Sequence, residues 1–236
     1  MKKIISFLVV CSSFVMASEY YSKLNPINTY QVKSAVSGQV IFVNKKIESQ
    51  KAKNSIIVKI NDKVNVEDLK QSKIKLKNLN EILKIEQGTL KSFERVSSKS
   101  RFDKDNQKIK IFTIASNISD LKTKIATLED TISNKTLIEK DNYIYNIAVE
   151  VGDYVNPGTL LYSSMDLSAG KLIVYLPINQ ANTIGNKTIY LNGKKTELKI
   201  SKLYKVADTT HISSYKCEII VPSPPSFSNL VKIEFK

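Results

Sequence analysis

"NIAVEVGDYVNPGTLLYSSMD" (residues 146–166) is the most strongly patterned stretch of the chain. It reads as a strand, a Gly-Asp turn at Gly152 and Asp153, a short step, a Pro-Gly turn ending at Gly158, and a second strand. Glycine supplies the left-handed backbone that such turns demand. A single hairpin of this size is marginal in water, so the stretch needs a partner.

The partner lies 104 residues upstream. "GQVIFVNKKIESQKAKNSIIVKIND" (38–62) aligns with "NYIYNIAVEVGDYVNPGTLLYSSMD" (142–166). Val40 falls on Ile144, Val43 on Ile147, Ile56 on Leu160, Ile57 on Leu161 and Asp62 on Asp166. The turns of the first copy are degenerate: Glu48 stands at the place of Gly152, and Asn54 at that of Gly158. Asn tolerates a left-handed turn, whereas Glu does so less readily. Two halves that each expose strand edges close into a sandwich when paired.

Between them, residues 64–136 contain no Pro and one Gly. Leu69, Leu76, Leu83 and Leu90 recur every seven residues, with Leu79 and Phe93 on a companion seam. Ile111, Ile118, Ile125 and Ile132 repeat the spacing, with Ile114, Leu121 and Leu128 three further on. Narrow heptad seams on two segments predict two long helices. The polar break "SSKSRFDKDN" (97–106) is short, so the helices are expected to fold back antiparallel, with Asp103 as N-cap of the second. Each arm would be about 50 Å long. Residues 170–236 return to short strands, punctuated by Pro177, Gly185, "NGKK" (192–195) and "PSPPS" (222–226).

The chain has 236 residues, 42% of them hydrophobic, with a formal charge of +14. That length allows one large domain or two to three small ones. The lysines are spread, and no aromatics alternate with them, so no base-stacking platform is present and nucleic acid is not an expected partner. Met1–Ala17 reads as a secretory signal peptide: Lys2 and Lys3, an apolar run, then small residues before Ser18. A second processing reading is lipidation at Cys11, although Val10 stands where a small residue is favoured. After cleavage Cys217 is the remaining cysteine, so no intramolecular disulfide forms.

Split halves around an α-hairpin, followed by short strands, resemble the periplasmic adaptor subunits, or membrane fusion proteins (HlyD-like), of tripartite efflux and secretion systems. "IYNIAVEVGDYVNPGTLL" looks like the lipoyl-like segment of that family, and "KLIVYLPINQANTIG" (171–185) like its passage into a β-barrel. The resemblance implies an α+β fold: a split lipoyl-like β-sandwich with an inserted antiparallel coiled-coil hairpin, followed by a small β-barrel. The implied domains are the signal peptide at 1–17, the N-terminal segment and first half at 18–63, and the hairpin at 64–136. The second half follows at 137–166 and the barrel at 167–236. The lipoyl-like turns would involve Gly38, Gly152, Asp153 and Gly158.

The resemblance further implies no catalysis, no cofactor and no metal. The partners would be an inner-membrane transporter of the RND or ABC type and a TolC-like outer-membrane channel, bridged by a homo-hexamer. The location would be periplasmic and peripheral to the inner membrane. A membrane-proximal domain would be absent or minimal, and no N-terminal anchor helix would survive processing. Many adaptors carry a tip pattern of Arg, three residues, Leu, six residues, Ser. Its best placement puts Ser92 at the Arg, Val96 at the Leu and Asp103 at the Ser. With Ser92 in place of the Arg, two expectations stay open: a divergent channel partner, or a tip of Arg95, Val96, Arg101 and Asp103 that docks through the two arginines.

"VEVGDYVNPGTLL" also resembles a segment of zinc peptidases of the cell wall. Those enzymes need several His and Asp ligands, and this chain has His211 alone. The alternative that stays open is a non-catalytic envelope coiled-coil protein that activates a wall hydrolase. A soft-metal site built from His211, Cys217 and Met165 is disfavoured because nothing in the sequence fixes their proximity.

Overall fold

The computed structural model describes residues 18–236; the expected signal peptide (1–17) and the lipidation reading at Cys11 fall outside the described residues. The strands are β1 (Glu19–Lys23), β2 (Asn25–Lys33), β3 (Gly38–Val43) and β4 (Ser55–Ile60). Helices α1 (Lys63–Arg95) and α2 (Arg101–Ser133) follow. The chain continues through β5 (Thr136–Glu139), β6 (Tyr143–Ile147), β7 (Tyr154–Val155), β8 (Leu160–Pro177) and the single turn α3 (Ile178–Ala181). It ends with β9 (Ile189–Leu191), β10 (Lys194–Lys195), β11 (Ile200–Leu203), β12 (Ser214–Pro222) and β13 (Leu230–Phe235). No helix of the described residues is long and apolar enough to cross a membrane. Two compact units result: residues 30–164, and residues 165–236 together with the segment up to Thr29.

In the unit of residues 30–164, one sheet has the order β5-β4-β3-β7, so strands from both halves of the sequence repeat share it. The backbone stitches the halves further. Ala52 N–H donates to Asn142 O at 3.0 Å, and Ile144 N–H to Gln50 O at 2.9 Å. Gly152 N–H donates to Val40 O, and Val40 N–H to Asp153 O. The aligned residues Val40 and Ile144, and Ile57 and Leu161, are at most 1% exposed and belong to one apolar core. Strand alternation puts Ile56 outside, at 40% exposure, while Val58 beyond Ile57 is also buried where the β4–β5 register shifts.

The two degenerate turns resolve differently. Asn54 takes the left-handed conformation (φ +56°), as Gly158 does (φ +92°). Glu48 stays extended, and Ser49 beside it turns left-handed instead (φ +64°). That leaves the Glu48 carboxylate to accept from Ile147 N–H at 3.0 Å, a bond between the halves. Gly38 is not a turn residue. It opens β3 opposite Val155, and a Cβ there would lie 2.6 Å from Ile60 Cγ2, so only glycine fits.

The unit containing residues 165–236 has its own core, with Leu172, Val174, Leu176, Cys217, Ile219, Ile233 and Phe235 buried. β12 pairs with β8 over nine positions, from Ser214↔Pro177 to Pro222↔Ala169. β1 returns to pair antiparallel with β13. That ladder carries charge: Glu234 accepts from Lys236 and Lys232, each at 2.9 Å. These two ammoniums, Lys236 first, hold the Glu234 carboxyl down at about 2. A depressed carboxyl stabilises the fold above its unfolded value of 4.5, and the contribution is lost as pH falls toward about 2. Glu234→Gln is therefore expected to flatten the pH dependence of stability in that window. Urea melts followed by circular dichroism at pH 5, 4 and 3 measure this.

Candidate functional site

The helical hairpin grows directly out of the sheet. β4 and β5 pair antiparallel, ending at Lys59↔Thr136, and α1 and α2 continue from those ends. The base is closed by Lys135, which is 8% exposed. Its ammonium donates to Asn61 O and Asn65 Oδ1, both at 2.7 Å, and its own carbonyl accepts from Ile60 N–H at 2.8 Å. Just before α1, Asn61 Oδ1 accepts from Lys63 N–H at 3.2 Å, a local turn ahead of the N-cap residue Asp62.

Both helices are 33 residues long, and the ion pairs between them run in antiparallel order. Lys73 meets Glu129 at 2.7 Å near the base, and Lys110 meets Glu86 at 2.6 Å further out. Ile114, Ile118, Leu121, Ile125 and Leu128 of α2 are buried along the seam, as their heptad spacing requires. The facing leucines of α1, Leu69, Leu76, Leu79, Leu83 and Leu90, are half-buried.

Three seam positions are polar, and the apolar heptad pattern had no sign for them. Ser72 is buried in α1. Glu86 stands between Leu83 and Leu90 in the alternating three- and four-residue spacing, and Gln107 holds the equivalent place before Ile111. Gln107 Nε2 donates to Glu86 O at 2.9 Å and to Glu86 Oε2 at 2.7 Å. Donation from Lys110, then from Gln107, holds the Glu86 carboxyl below its ordinary value. A polar layer inside a coiled coil fixes register at some cost in stability. The double replacement Glu86→Leu, Gln107→Leu is thus expected to raise the unfolding midpoint. It should also allow the helices to slip, read as mixed cross-links from a cysteine pair placed near the tip.

At the tip, Arg95 ends α1 and Val96 leaves the helix in an extended conformation, 46% exposed. The expected cap of α2 is corrected here. Ser100, not Asp103, is the N-cap: its Oγ accepts from Asp103 N–H at 3.1 Å, while Asp103 Oδ2 accepts from Ser100 N–H at 3.3 Å. This reciprocal capping box was readable as S-x-x-D at 100–103. Lys99 Nζ lies 4.5 Å from the centre of the Phe93 ring and closes the turn. Arg101 is almost fully exposed, with Asp105 at 3.7 Å, a separation that contributes little. Arg95, Val96, Arg101 and Asp103 are thus brought together at one end of the hairpin. Ser92 is spent within α1, where its Oγ donates to Gly88 O. Phe102, 73% exposed beside Arg101, is a tip residue that the pattern search missed.

The turns of the 146–166 stretch flank β7, the edge strand of the sheet from which the hairpin grows. Asp153 Oδ2 accepts from Glu150 N–H at 2.8 Å and closes the Gly152 turn (φ +103°). Gly158 N–H donates to Ser34 O at 2.8 Å.

His211 and Cys217 lie on different faces of their sheet. The His211 ring stacks on Tyr175, with ring centres 3.4 Å apart, and Tyr175 pairs with Lys216. The next residue, Cys217, points into the core, where burial first and then the Glu218 charge push its thiol up to about 11, away from the thiolate form. No group of three His, Cys, Asp or Glu among the described residues converges as metal ligands.

No protein-family model matches the sequence, and no curated protein does. Solved structures match at the level of fold. MacA from Actinobacillus actinomycetemcomitans superposes with a TM-score of 0.72 at 17% identity, over 93% of this chain and 78% of that one. The membrane fusion protein Spr0693 from Streptococcus pneumoniae R6 gives 0.71 at 11% identity, over 93% of this chain and 98% of that one. A MacA–MexA chimera containing the Pseudomonas aeruginosa MexA α-hairpin domain gives 0.66 at 16% identity, over 93% and 80%. Two strand-rich units with a long helical hairpin rising from the split sheet of one of them are what this chain shares with those structures, and its fold is that of the membrane fusion proteins.

Proposed function

We propose that the chain is a periplasmic adaptor of a tripartite export system and performs no chemistry. In this reading residues 18–63 and 137–166 contain the two halves of a lipoyl-like β-sandwich, 64–136 the coiled-coil hairpin, and 167–236 a small β-barrel. The protein is peripheral to the inner membrane and joins a transporter of the RND or ABC type to a TolC-like channel. Copies assemble as a ring, a hexamer by family resemblance, because one narrow chain encloses no conduit by itself.

The observation that carries the reading is the hairpin itself. It is tied at its base by the Lys135 hydrogen bonds, crossed by the Glu86–Gln107 pair, and ends in exposed Arg95, Val96, Arg101 and Phe102. A hairpin inserted within a split sheet also separates this reading from a wall-hydrolase activator, whose coiled coil precedes an intact domain.

The test is site-specific cross-linking in cells from positions 96 and 102. Adducts with an outer-membrane channel, lost in the Arg95→Glu, Arg101→Glu variant while the protein stays folded, are the expected result. Adducts with an amidase, together with a septation defect on deletion, would sink the adaptor reading.

A further inference from the structure

In the unit of residues 165–236, two strand edges are left open beside each other along the chain. β10 is the last strand of the sheet β1-β13-β9-β10, and β11 is the last of β11-β12-β8-β2, so each has a neighbour on one side only. The four residues between them, Thr196–Lys199, belong to neither sheet. A cleft of about 630 Å³ opens here, lined by Gly185–Thr188, Lys195–Ile200 and Leu203.

The linking segment is extended and two-faced. Thr196 and Leu198 are half-buried, and their amides turn inward, to Ile189 O at 3.0 Å and to Thr196 Oγ1 at 3.4 Å. Lys195, Glu197 and Lys199 alternate with them on the exposed side. The amides of Glu197 and Lys199 find no acceptor among the described residues. The ammoniums of Lys187, Lys195 and Lys199 likewise have no carboxylate partner among them. The cleft is therefore rich in donors, with Glu197 its one acid, and Leu198, Ile200 and Leu203 give it an apolar side.

We propose that this cleft captures an extended, acidic peptide segment of a partner protein, which adds as a strand along Thr196–Leu203. Strand addition takes its affinity from backbone hydrogen bonds and its specificity from alternate side chains. Carboxylates on one face of the incoming strand meet the lysines, and apolar residues on the other meet Ile200 and Leu203. Edge lysines disfavour another basic strand and admit an acidic one. A small anion gains little from exposed, separated ammoniums, whereas a strand also engages the free amides. The proposal stands independently of the adaptor reading.

The test uses the full chain and a fluorescein-labelled hexapeptide alternating Glu and Val, followed by anisotropy. Saturable binding is expected. It should weaken about tenfold in Lys195→Glu, Lys199→Glu, and should be absent for the Lys/Val counterpart. The Glu197 and Lys199 amides should shift in nitrogen–proton spectra and exchange more slowly with solvent on binding. Lys187→Ala gives the same direction of change should the double variant unfold. Absence of saturable binding, binding indifferent to all three lysines, or full displacement by inorganic phosphate without amide protection would each overturn the proposal.

Discussion

Leu161→Ala is expected to lower the unfolding free energy by about 3 kcal/mol, within the range of about 2–5 kcal/mol for emptying a fully buried leucine site. Leu161 is 0% exposed and packs with Ile57, its counterpart in the other half of the repeat, and with Val40 and Ile144. The cavity would open where the two halves meet. Close packing on every side leaves little room for collapse. Urea denaturation followed by circular dichroism measures the loss. Ile56→Ala supplies the contrast: that side chain is 40% exposed, and its loss should cost under about 1 kcal/mol. Equal losses at the two positions would show that the halves do not share a core.

Lys135→Met is expected to cost about 2–3 kcal/mol, from the charge-assisted hydrogen bonds it deletes and the groups it strands. The ammonium holds Asn61 O and Asn65 Oδ1, which stand on either side of the first residues of α1, while Lys135 itself follows the end of α2. Methionine fills similar space without a donor, leaving a buried carbonyl unpaired. The damage is local, so the readout is local. Hydrogen exchange should rise at residues 60–66 and 133–137, and limited proteolysis should cut there first, with little change in the core strands. Unchanged protection at the base would mean that the β4–β5 ladder alone secures the hairpin.

The pattern in the sequence carried the architecture where one physical period dominated. Heptads marked both helices because apolar seams leave a repeat that polar faces do not obscure. The internal repeat was visible because Val40/Ile144 and Ile57/Leu161 are aligned residues of one core. Legibility failed where a polar side chain serves structure. Ser72, Glu86 and Gln107 lie in the seam but match no apolar template, and only the pairing of α1 with α2 reveals that Glu86 and Gln107 face each other. Asp103 was a sound cap by residue type, yet Ser100 three positions earlier completes the reciprocal box. Glu48 looked like a poor turn residue, and the chain evades the problem by moving the left-handed conformation to Ser49. Phe102 at the tip and the open edges beside Thr196–Lys199 follow from what the fold leaves uncovered, which no local pattern states.

The hydrogen bonds at the base have a mechanical consequence. Each helix of 33 residues is a lever about 50 Å long. Over that arm, each degree of tilt at the root displaces the far end by about 0.9 Å. A partner that requires placement within an ångström or two therefore tolerates only one or two degrees of play at residues 59–63 and 133–136. The direction of the tip that carries Arg95 and Arg101 is thus set at the opposite end of the hairpin, by the Asn61–Lys135–Asn65 bridge, and a substitution there is expected to redirect the tip without touching it.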